Sequence, residues 1–287
     1  MTVDETRCVR CGTCASVCPN QVFGWRGEQL EIRYPGRCIQ CGHCQAVCPE
    51  DAFHHEGIRR SFSPVDVVSA VSPEALQGLM VRRRSCRRFL DRSVSNDDLS
   101  SLLDAAARAP TATNSQNVRF IALDHAEQIQ RLSDGTVRYY LRLAKRMENP
   151  LIRLILRLTV GKKLVDNYRF HLPAIASRFL AVEKGEASLF YGAPLVLIAV
   201  ASGLVPLAAA NANLAVMQMM LKAETLGLGT VYNGYSLTAL QRDKVVRRTM
   251  GIADGYLPSA VLAVGYPDIV FYKSPPRRRA RVIKPFD

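Results

Sequence analysis

Hydrophobic and polar positions alternate with a helical period through much of the chain beyond residue 72, and short continuous apolar runs interrupt that pattern. Helical periods predict amphipathic helices, and the short apolar runs predict buried strands. The resulting elements are helices over 73–81, 207–226 and 237–250, a helix that begins after the Ser95 cap and ends at Pro110, a basic helical region over 137–180, and strands over 120–123, 193–201 and 260–264. Helices that alternate with a few apolar strands predict an α/β or α+β fold around one sheet.

Two helix starts carry specific capping signals. Ser72 precedes Pro73, which places an N-cap before a proline at the first helical position. Ser95 opens a sequence that resembles a capping box, and Val94 and Leu99 stand where a hydrophobic staple would place them. One apolar face of the second helix is predicted to contain Leu99, Leu102, Leu103, Ala106 and Ala107.

The stretch 187–221 has no charged residue and is longer than the roughly 20 residues that span a bilayer. Pro194, Pro206, Asn211 and Gln218 interrupt it. We therefore interpret it as a buried strand followed by a buried helix that begins after Pro206, and not as a membrane span.

The 287 residues are 48% hydrophobic, which is enough for about two packed domains. The net charge is +13, yet residues 1–60 carry equal numbers of acidic and basic side chains, so the excess belongs to the remainder. A basic chain favours an anionic partner, cofactor or surface. Nucleic-acid binding stays open as an alternative, although no recognisable recognition motif accompanies the charge.

All but one of the nine cysteines lie within the first 48 residues, in two identical runs that are 30 positions apart. Each run has the spacing C-x2-C-x2-C-x3-C-P, and Gly12 repeats as Gly42. This segment is an internal duplication. The ninth, Cys86, is predicted to be a partly buried side chain, and a reactive thiol is the alternative.

This spacing is typical of paired [4Fe–4S] clusters, in which the fourth cysteine of each run ligates the other cluster. The predicted ligand sets are Cys8, Cys11, Cys14 and Cys48 for one cluster, and Cys38, Cys41, Cys44 and Cys18 for the other. Zinc is the alternative metal, but its sites usually combine two cysteine pairs. A segment this poor in large apolar residues is expected to need its metal to fold.

Over about residues 4–58 the chain resembles the bacterial two-cluster ferredoxins. The predicted organisation is a ferredoxin domain over 1–60, a linker over 61–72 and a larger domain over 73–287. The first residues lack a signal-peptide pattern, which predicts a cytoplasmic location with reduced thiols.

A cluster domain implies a second redox centre in the larger domain. No G-x-G-x-x-G sequence follows a strand, which argues against a Rossmann dinucleotide site. Four other segments suit a flavin mononucleotide: the arginine-rich run 82–89, the polar loop 109–117, the glycine-rich turn 227–235 and the arginine-rich tail 277–281. Guanidinium groups are favoured partners of phosphate.

The order and content of these four segments resemble the nitroreductase family of FMN flavoproteins, across roughly residues 73–284. The resemblance implies an α+β fold with a central sheet flanked by helices, and an intertwined homodimer. It assigns Arg83, Arg84, Ser85 and Arg87 to the phosphate and ribityl chain, Asn114 to the ribityl or ring edge, Asn233 and Gly234 to the neighbourhood of flavin N5, and Arg277 and Arg279 to the phosphate.

In this family a variable insertion caps the flavin, and here it is predicted over 137–185. Its candidate pocket residues are Tyr139, Tyr140, Tyr168 and His171, with ordinary packing as the alternative for each. Within it, 151–158 is predicted to be an amphipathic packing helix, and an interfacial membrane helix is the alternative.

The sequence therefore predicts an FMN-dependent reductase in which electrons pass through two [4Fe–4S] clusters to the flavin. The expected acceptors are small molecules such as nitroaromatics, quinones or activated double bonds. The donor is expected to be a ferredoxin, a reductase or NAD(P)H. An electron-transfer module that serves a partner protein, and a basic nucleic-acid-binding protein with structural clusters, are the alternatives.

Overall fold

The computed structural model describes residues 1–58, 61–65 and 71–284, and it does not describe the side chains at 153, 160, 164 and 167–169. The chain forms two compact units, Met1–Val71 with Thr111–Gln116, and Ser72–Pro110 with Asn117–Asp287. Part of the predicted linker lies outside the described residues, so the boundaries at 60 and 73 stay predictions.

The first unit contains short elements that repeat. They are β1 (Thr2–Val3), α1 (Thr13–Ser16), β2 (Phe23–Arg26), β3 (Gln29–Ile32), α2 (His43–Ala46) and β4 (Phe53–His54). Strand β1 pairs with β4 and β2 pairs with β3, both antiparallel. Each short helix begins after a left-handed glycine, Gly12 with φ 73° and Gly42 with φ 76°. The duplication in the sequence is thus a duplication of backbone conformation.

The core of the first unit is small. Val22, Ala52 and Phe53 are buried, and the Phe53 ring meets Phe23 edge-on at 5.4 Å. Phe23 and Phe53 are 30 positions apart, so equivalent side chains of the two repeats pack on each other. Two aromatic rings and a few aliphatic groups supply little apolar burial for a unit of this length.

The second unit supplies the remaining elements. Its helices are α3 (Pro73–Arg82), α4 (Asn96–Ala107), α5 (Ala126–Glu148), α6 (Pro150–Val160), α7 (Lys162–Glu183), α8 (Ala208–Thr225), α9 (Gly234–Arg242) and α10 (Lys244–Thr249). Its strands are β5 (Val118–Leu123), β6 (Leu195–Ser202), β7 (Gly229–Tyr232) and β8 (Tyr256–Gly265).

The four strands form one antiparallel sheet in the order β5-β6-β8-β7. Helices cover both faces, which confirms the predicted α+β class. In β6, Val196, Ile198 and Val200 enter one core while Leu195 and Leu197 enter the other. Because both faces are covered, the strand has a continuous apolar sequence and no alternation with polar residues.

Several helix boundaries differ from the sequence prediction. The basic region over 137–180 is three helices, and the first of them begins well before residue 137. The helix over 237–250 is interrupted at Asp243, whose carboxylate accepts hydrogen bonds from the Val245 and Val246 amides and caps α10. Helix α8 begins two residues after Pro206, at Ala208. The break at Asp243 comes from local capping and not from the apolar period.

Both predicted N-caps are present. The Ser72 hydroxyl accepts from the Ala75 amide at 3.1 Å, and Ser95 accepts from the Asp98 amide at 3.0 Å. The apolar face of α4 is narrower than predicted, since Leu102 is fully buried whereas Leu103 is 38% exposed.

Helix α6 was expected to pack through its apolar face. Its packing is partial: Leu156 contacts the small core of Met147, Val165 and Leu172, whereas Leu151, Leu154, Ile155 and Leu158 are each at least half accessible. Among the described residues, no helix is both long enough and apolar enough to cross a membrane.

Candidate functional site

The cysteines of the first unit surround a cavity that combines the two runs. Cys38, Cys41 and Cys44 line it together with Cys18 from the other run. This is the crossed arrangement predicted from the spacing. Among the described residues, no group of three or more His, Cys, Asp or Glu side chains is placed to hold a single metal ion.

In both repeats, a backbone amide donates a hydrogen bond to the fourth cysteine of the run, which is the one predicted to ligate the other cluster. The Val22 amide donates to Cys18 Sγ at 3.5 Å, and the Ala52 amide donates to Cys48 Sγ at 3.2 Å. Donors of this kind suit thiolate ligands, because they stabilise negative charge on sulfur. The donor set therefore fits an iron–sulfur cluster, and the individual ligand assignments stay predictions.

The thiol groups have different environments. Burial raises the pKa of Cys44 to about 11 and also raises the pKa of Cys14. The side-chain hydrogen bond from Thr13 lowers the pKa of Cys11, which is exposed. A metal ligand must be a thiolate, so metal binding at the buried positions releases protons.

The second unit contains a cavity of about 460 Å³. Its charged and aromatic lining consists of Arg87, Tyr140, Arg178, Tyr191, Tyr232 and Tyr235. The first turn of α9 also borders it, at Gly234. No carboxylate occurs among the described residues that line this cavity, so two guanidinium groups give it a positive potential.

Arg178 is held in place by aromatic neighbours. Its Nη2 donates to the Tyr191 hydroxyl at 2.6 Å, and its guanidinium lies 5.7 Å from the Tyr235 ring centroid. Tyr140 stacks on Phe179 at 4.6 Å and meets Tyr235 edge-on. The arginine therefore faces the cavity from a rigid aromatic wall.

Asn233 shapes the adjacent backbone. Its side chain is 7% exposed, donates to the Leu189 carbonyl at 3.1 Å and accepts from the Ser236 amide at 2.9 Å. The Asn233 side chain therefore caps the N-terminus of α9. The Gly234 backbone borders the cavity at this helix N-terminus. Such a terminus favours a negatively charged or hydrogen-bond-accepting group.

The other predicted flavin ligands are distributed more widely. Among the residues of the arginine-rich run, only Arg87 lines the cavity. Ser85 pairs with Thr230 in an isolated parallel bridge, and Arg84 donates to the Ser274 hydroxyl. Arg277 and Arg279 lie in an exposed segment after β8.

Asn114 has its partners within the first unit. Its Nδ2 donates to the carbonyls of Ile39 at 3.2 Å and Gln40 at 2.9 Å, in the second cysteine run. Asn114 and Thr113 both have left-handed backbone, with φ values of 53° and 52°. The loop predicted to contact a flavin thus contacts the backbone between two predicted cluster ligands.

Of the candidate pocket residues with described side chains, Tyr140 lines the cavity, whereas Tyr139 and His171 do not. Tyr139 packs edge-on against Tyr140, which does line it, and His171 meets the Phe170 ring at 4.9 Å. The side chain of Tyr168 lies outside the described residues. The sequence did not predict a role for Arg178 or Tyr191. No linear motif joins these two residues, because they approach each other only after α7 ends and the chain turns back.

Cys86 is buried, with 2% exposure, and its Sγ donates to the Arg88 carbonyl at 3.0 Å. Burial raises the pKa of this thiol. A Cβ at Gly229 would lie 2.7 Å from the Cys86 Cβ, so the cysteine packs against bare backbone. These contacts agree with the predicted structural role for Cys86.

Residues 80–266 match the nitroreductase family. The chain belongs to that family. Residues 1–56 match the 4Fe-4S dicluster domain family. The two matches confirm the predicted combination of a reductase domain with an N-terminal iron–sulfur domain.

Among curated proteins, a putative NADH dehydrogenase/NAD(P)H nitroreductase from Archaeoglobus fulgidus is 23% identical over 189 residues, which are 66% of this chain and 83% of the relative. Among solved structures, nitroreductases with bound FMN from Desulfitobacterium hafniense and Bacteroides fragilis have TM-scores of 0.53 and 0.50. They are 20% and 18% identical, and each alignment covers 73% of this chain and 98% of the other. These structural likenesses establish the fold.

Proposed function

We propose that this protein is an FMN-dependent reductase whose two [4Fe–4S] clusters deliver electrons to the flavin, which reduces a small organic acceptor. The observation that carries the proposal is the 460 Å³ cavity of the second unit, where two arginines, several tyrosine rings and the start of α9 meet. Family membership, and the FMN bound in related structures, support flavin as its occupant.

The lining of the cavity fits a planar anionic cofactor. Arg87 offers guanidinium donors for phosphate or ribityl oxygens, and Gly234 offers backbone at the start of α9 for the ring edge. Bound FMN would supply hydride or stepwise electron transfer, and the clusters would supply single electrons. Arg83, Arg84, Ser85, Asn114, Asn233, Arg277 and Arg279 stay predicted flavin ligands.

The acceptor is proposed to carry a negative charge beside an aromatic or conjugated group. Arg178 faces the cavity, and the described lining offers no carboxylate to neutralise it. Tyr140 and Tyr235 supply ring faces and edges for an aromatic acceptor. This chemistry favours nitroaromatic or quinone carboxylates over their neutral analogues.

Anaerobic purification followed by absorption spectroscopy and by iron and flavin analysis tests the cofactor assignment. We expect about two clusters and one FMN per chain. Zinc in place of iron, or a second unit that does not bind added FMN, would overturn the proposal.

Arg178→Ala tests the acceptor class. We expect the KM for 4-nitrobenzoate to rise roughly 10-fold to 100-fold, the value of a hydrogen bond to a charged group, while 4-nitrobenzamide is little affected. Arg131→Ala is the matched control, since Arg131 pairs with Glu127 on the surface of α5. Equal losses with both acceptors, or a loss of FMN content, would assign Arg178 to the cofactor and contradict the acceptor role.

The finer features of the proposal are a homodimer, a cytoplasmic location and a low-potential donor such as a ferredoxin, a reductase or NAD(P)H. Exposed apolar side chains after β8, including Val270, Phe271 and Tyr272, support a subunit interface. Sedimentation of the holoprotein tests the dimer. Rapid oxidation by a partner protein, with slow turnover of every small acceptor, would favour the electron-transfer module instead.

A further inference from the structure

The two cysteine repeats have nearly the same backbone but differ in several residues, and one of these differences lies beside a predicted cluster ligand. The left-handed residue Arg10 is equivalent to Gln40, and the left-handed residue Gln21 is equivalent to Asp51, at an offset of 30 positions. The φ values within each pair agree within a few degrees. At positions 25 and 55, however, the first repeat has tryptophan and the second has histidine. This difference gives the two predicted clusters different surroundings.

His55 is 5% exposed and sits beside a predicted cluster ligand. Its Nε2 lies 3.3 Å from Cys38 Sγ, and its Nδ1 lies 3.1 Å from the Gly57 backbone nitrogen. A backbone N–H can only donate, so Nδ1 is the acceptor and the proton of the neutral ring is on Nε2. The imidazole therefore donates a hydrogen bond to the Cys38 sulfur.

The surrounding turn holds the imidazole in this orientation. The Ile58 amide donates to the His55 carbonyl at 3.0 Å, which closes the turn. A Cβ at Gly57 would lie 2.9 Å from the Cε1 of His55 and 3.1 Å from the Nε2 of Gln40, so the backbone at position 57 packs directly on the ring.

The first repeat has its side-chain partner at a different cysteine: Thr13 Oγ1 lies 3.4 Å from the Sγ of Cys11, which is exposed. Cys38 Sγ receives a second hydrogen bond from the Gln40 amide at 3.3 Å, whereas no donor reaches the Cys8 sulfur from the residues that the structure describes. Trp25, the counterpart of His55, is 39% exposed and lies beside Gly12, where its Cζ2 is 3.1 Å from the position of an added Cβ. The cysteine spacing is thus the same in the two repeats, but the side-chain partners of sulfur differ: buried His55 donates to the partly buried Cys38, whereas Thr13 contacts the exposed Cys11.

We propose that the hydrogen bond from His55 to Cys38 makes the cluster held by Cys38, Cys41, Cys44 and Cys18 easier to reduce than the other cluster. The inference rests on the proposed function, since it requires both clusters to be present. Reduction adds one electron to a cluster and forms or breaks no bond. A donor to a ligand sulfur stabilises the more negative reduced state and so raises the reduction potential.

The consequence is a direction within the iron–sulfur unit. An electron delivered by a low-potential donor settles on the second cluster, whose loop carbonyls at Ile39 and Gln40 bind the Asn114 side chain. The loop that contacts these carbonyls lies in the segment predicted to meet the flavin. The cluster that is easier to reduce would therefore be held by the cysteine run whose backbone contacts this loop.

His55→Leu tests the proposal in the intact holoprotein, with redox titration followed by electron paramagnetic resonance and with iron analysis. We expect the midpoint potential of one cluster to become more negative, the other to stay unchanged, and the iron content to be preserved. His55→Gln keeps an N–H donor and is expected to retain most of the wild-type potential. Trp25→Leu is the matched control and should not move the second cluster.

Unchanged potentials in His55→Leu with full iron, or equal shifts of both clusters, would overturn the inference. If His55→Leu fails to retain iron, Gly57→Ala is the second test of the hydrogen bond to Cys38. Its added methyl group presses on the imidazole of His55 without removing it. The potential of the same cluster alone must then shift, and an unchanged potential would again overturn the inference. A protein that never contains iron would instead overturn the proposed function.

Discussion

The two units of this protein are stabilised in different ways. In the second unit, helices bury both faces of a four-stranded sheet, and side chains such as Ile198, Leu262 and Met219 are fully inaccessible. In the first unit, buried apolar groups are few, and several residues other than glycine adopt left-handed backbone. A left-handed residue of this kind costs about 1–2 kcal/mol.

The comparison shows which interactions each unit needs. Apolar burial is sufficient for the sheet unit, since each large buried side chain contributes about 1.5–3 kcal/mol. The cysteine unit combines strained loops with a small core, so we expect its fold to depend on bonds from sulfur to metal. Its glycines and left-handed turns shape the loops around the sulfurs.

Removing iron should therefore have the largest effect, and only on the first unit. We expect an anaerobic chelator to abolish amide protection in residues 1–58 while the amides of β6 and β8 stay protected. Hydrogen exchange read by mass spectrometry measures both regions in one sample. Protection that persists in 1–58 after all iron has left would show that apolar packing alone holds that unit.

Leu262→Ala should produce the next largest change, confined to the second unit. Leu262 is fully buried in the centre of β8, and its truncation leaves a cavity that lowers the free energy of unfolding by about 2–5 kcal/mol. Denaturant unfolding of the second unit measures the loss, and iron content should not change. Leu204→Ala is the control, because Leu204 is 92% exposed.

Asn114→Ala should weaken the first unit by about 1–2 kcal/mol, the value of two hydrogen bonds to backbone carbonyls. Although residue 114 follows α4 in the chain, its contacts belong to the cysteine unit. The thermal stability of the iron-loaded unit measures the effect. A variant that loses FMN affinity instead would favour the predicted role of Asn114 as a flavin ligand.

Ser95→Ala should have the smallest effect and should act only on the second unit. The Ser95 hydroxyl caps α4, and loss of an N-cap costs about 1 kcal/mol. A small decrease in the unfolding midpoint of the second unit, with unchanged cluster spectra, is expected. Ser101→Ala, within the same helix and away from its N-terminus, provides the comparison.

Much of the architecture could be predicted from local patterns. The apolar run of β6, the serine caps of α3 and α4 and the duplicated cysteine spacing each depend on near neighbours in the chain. The break at Asp243 was missed because a capping carboxylate inside an apolar period gives only a weak signal. Family membership was predicted from four motifs in order, each of which is weak alone.

The sequence by itself determined the two cysteine runs, the apolar strands and the type of cofactor chemistry, because period and spacing are properties of the linear chain. Only the tertiary structure decided that Arg178 meets Tyr191 at a cavity, that Asn114 binds the second cysteine loop and that His55 donates to Cys38. Each of these contacts joins residues that are not related by a helical or strand period. Such side-chain hydrogen bonds form only when folding brings separate backbone segments together.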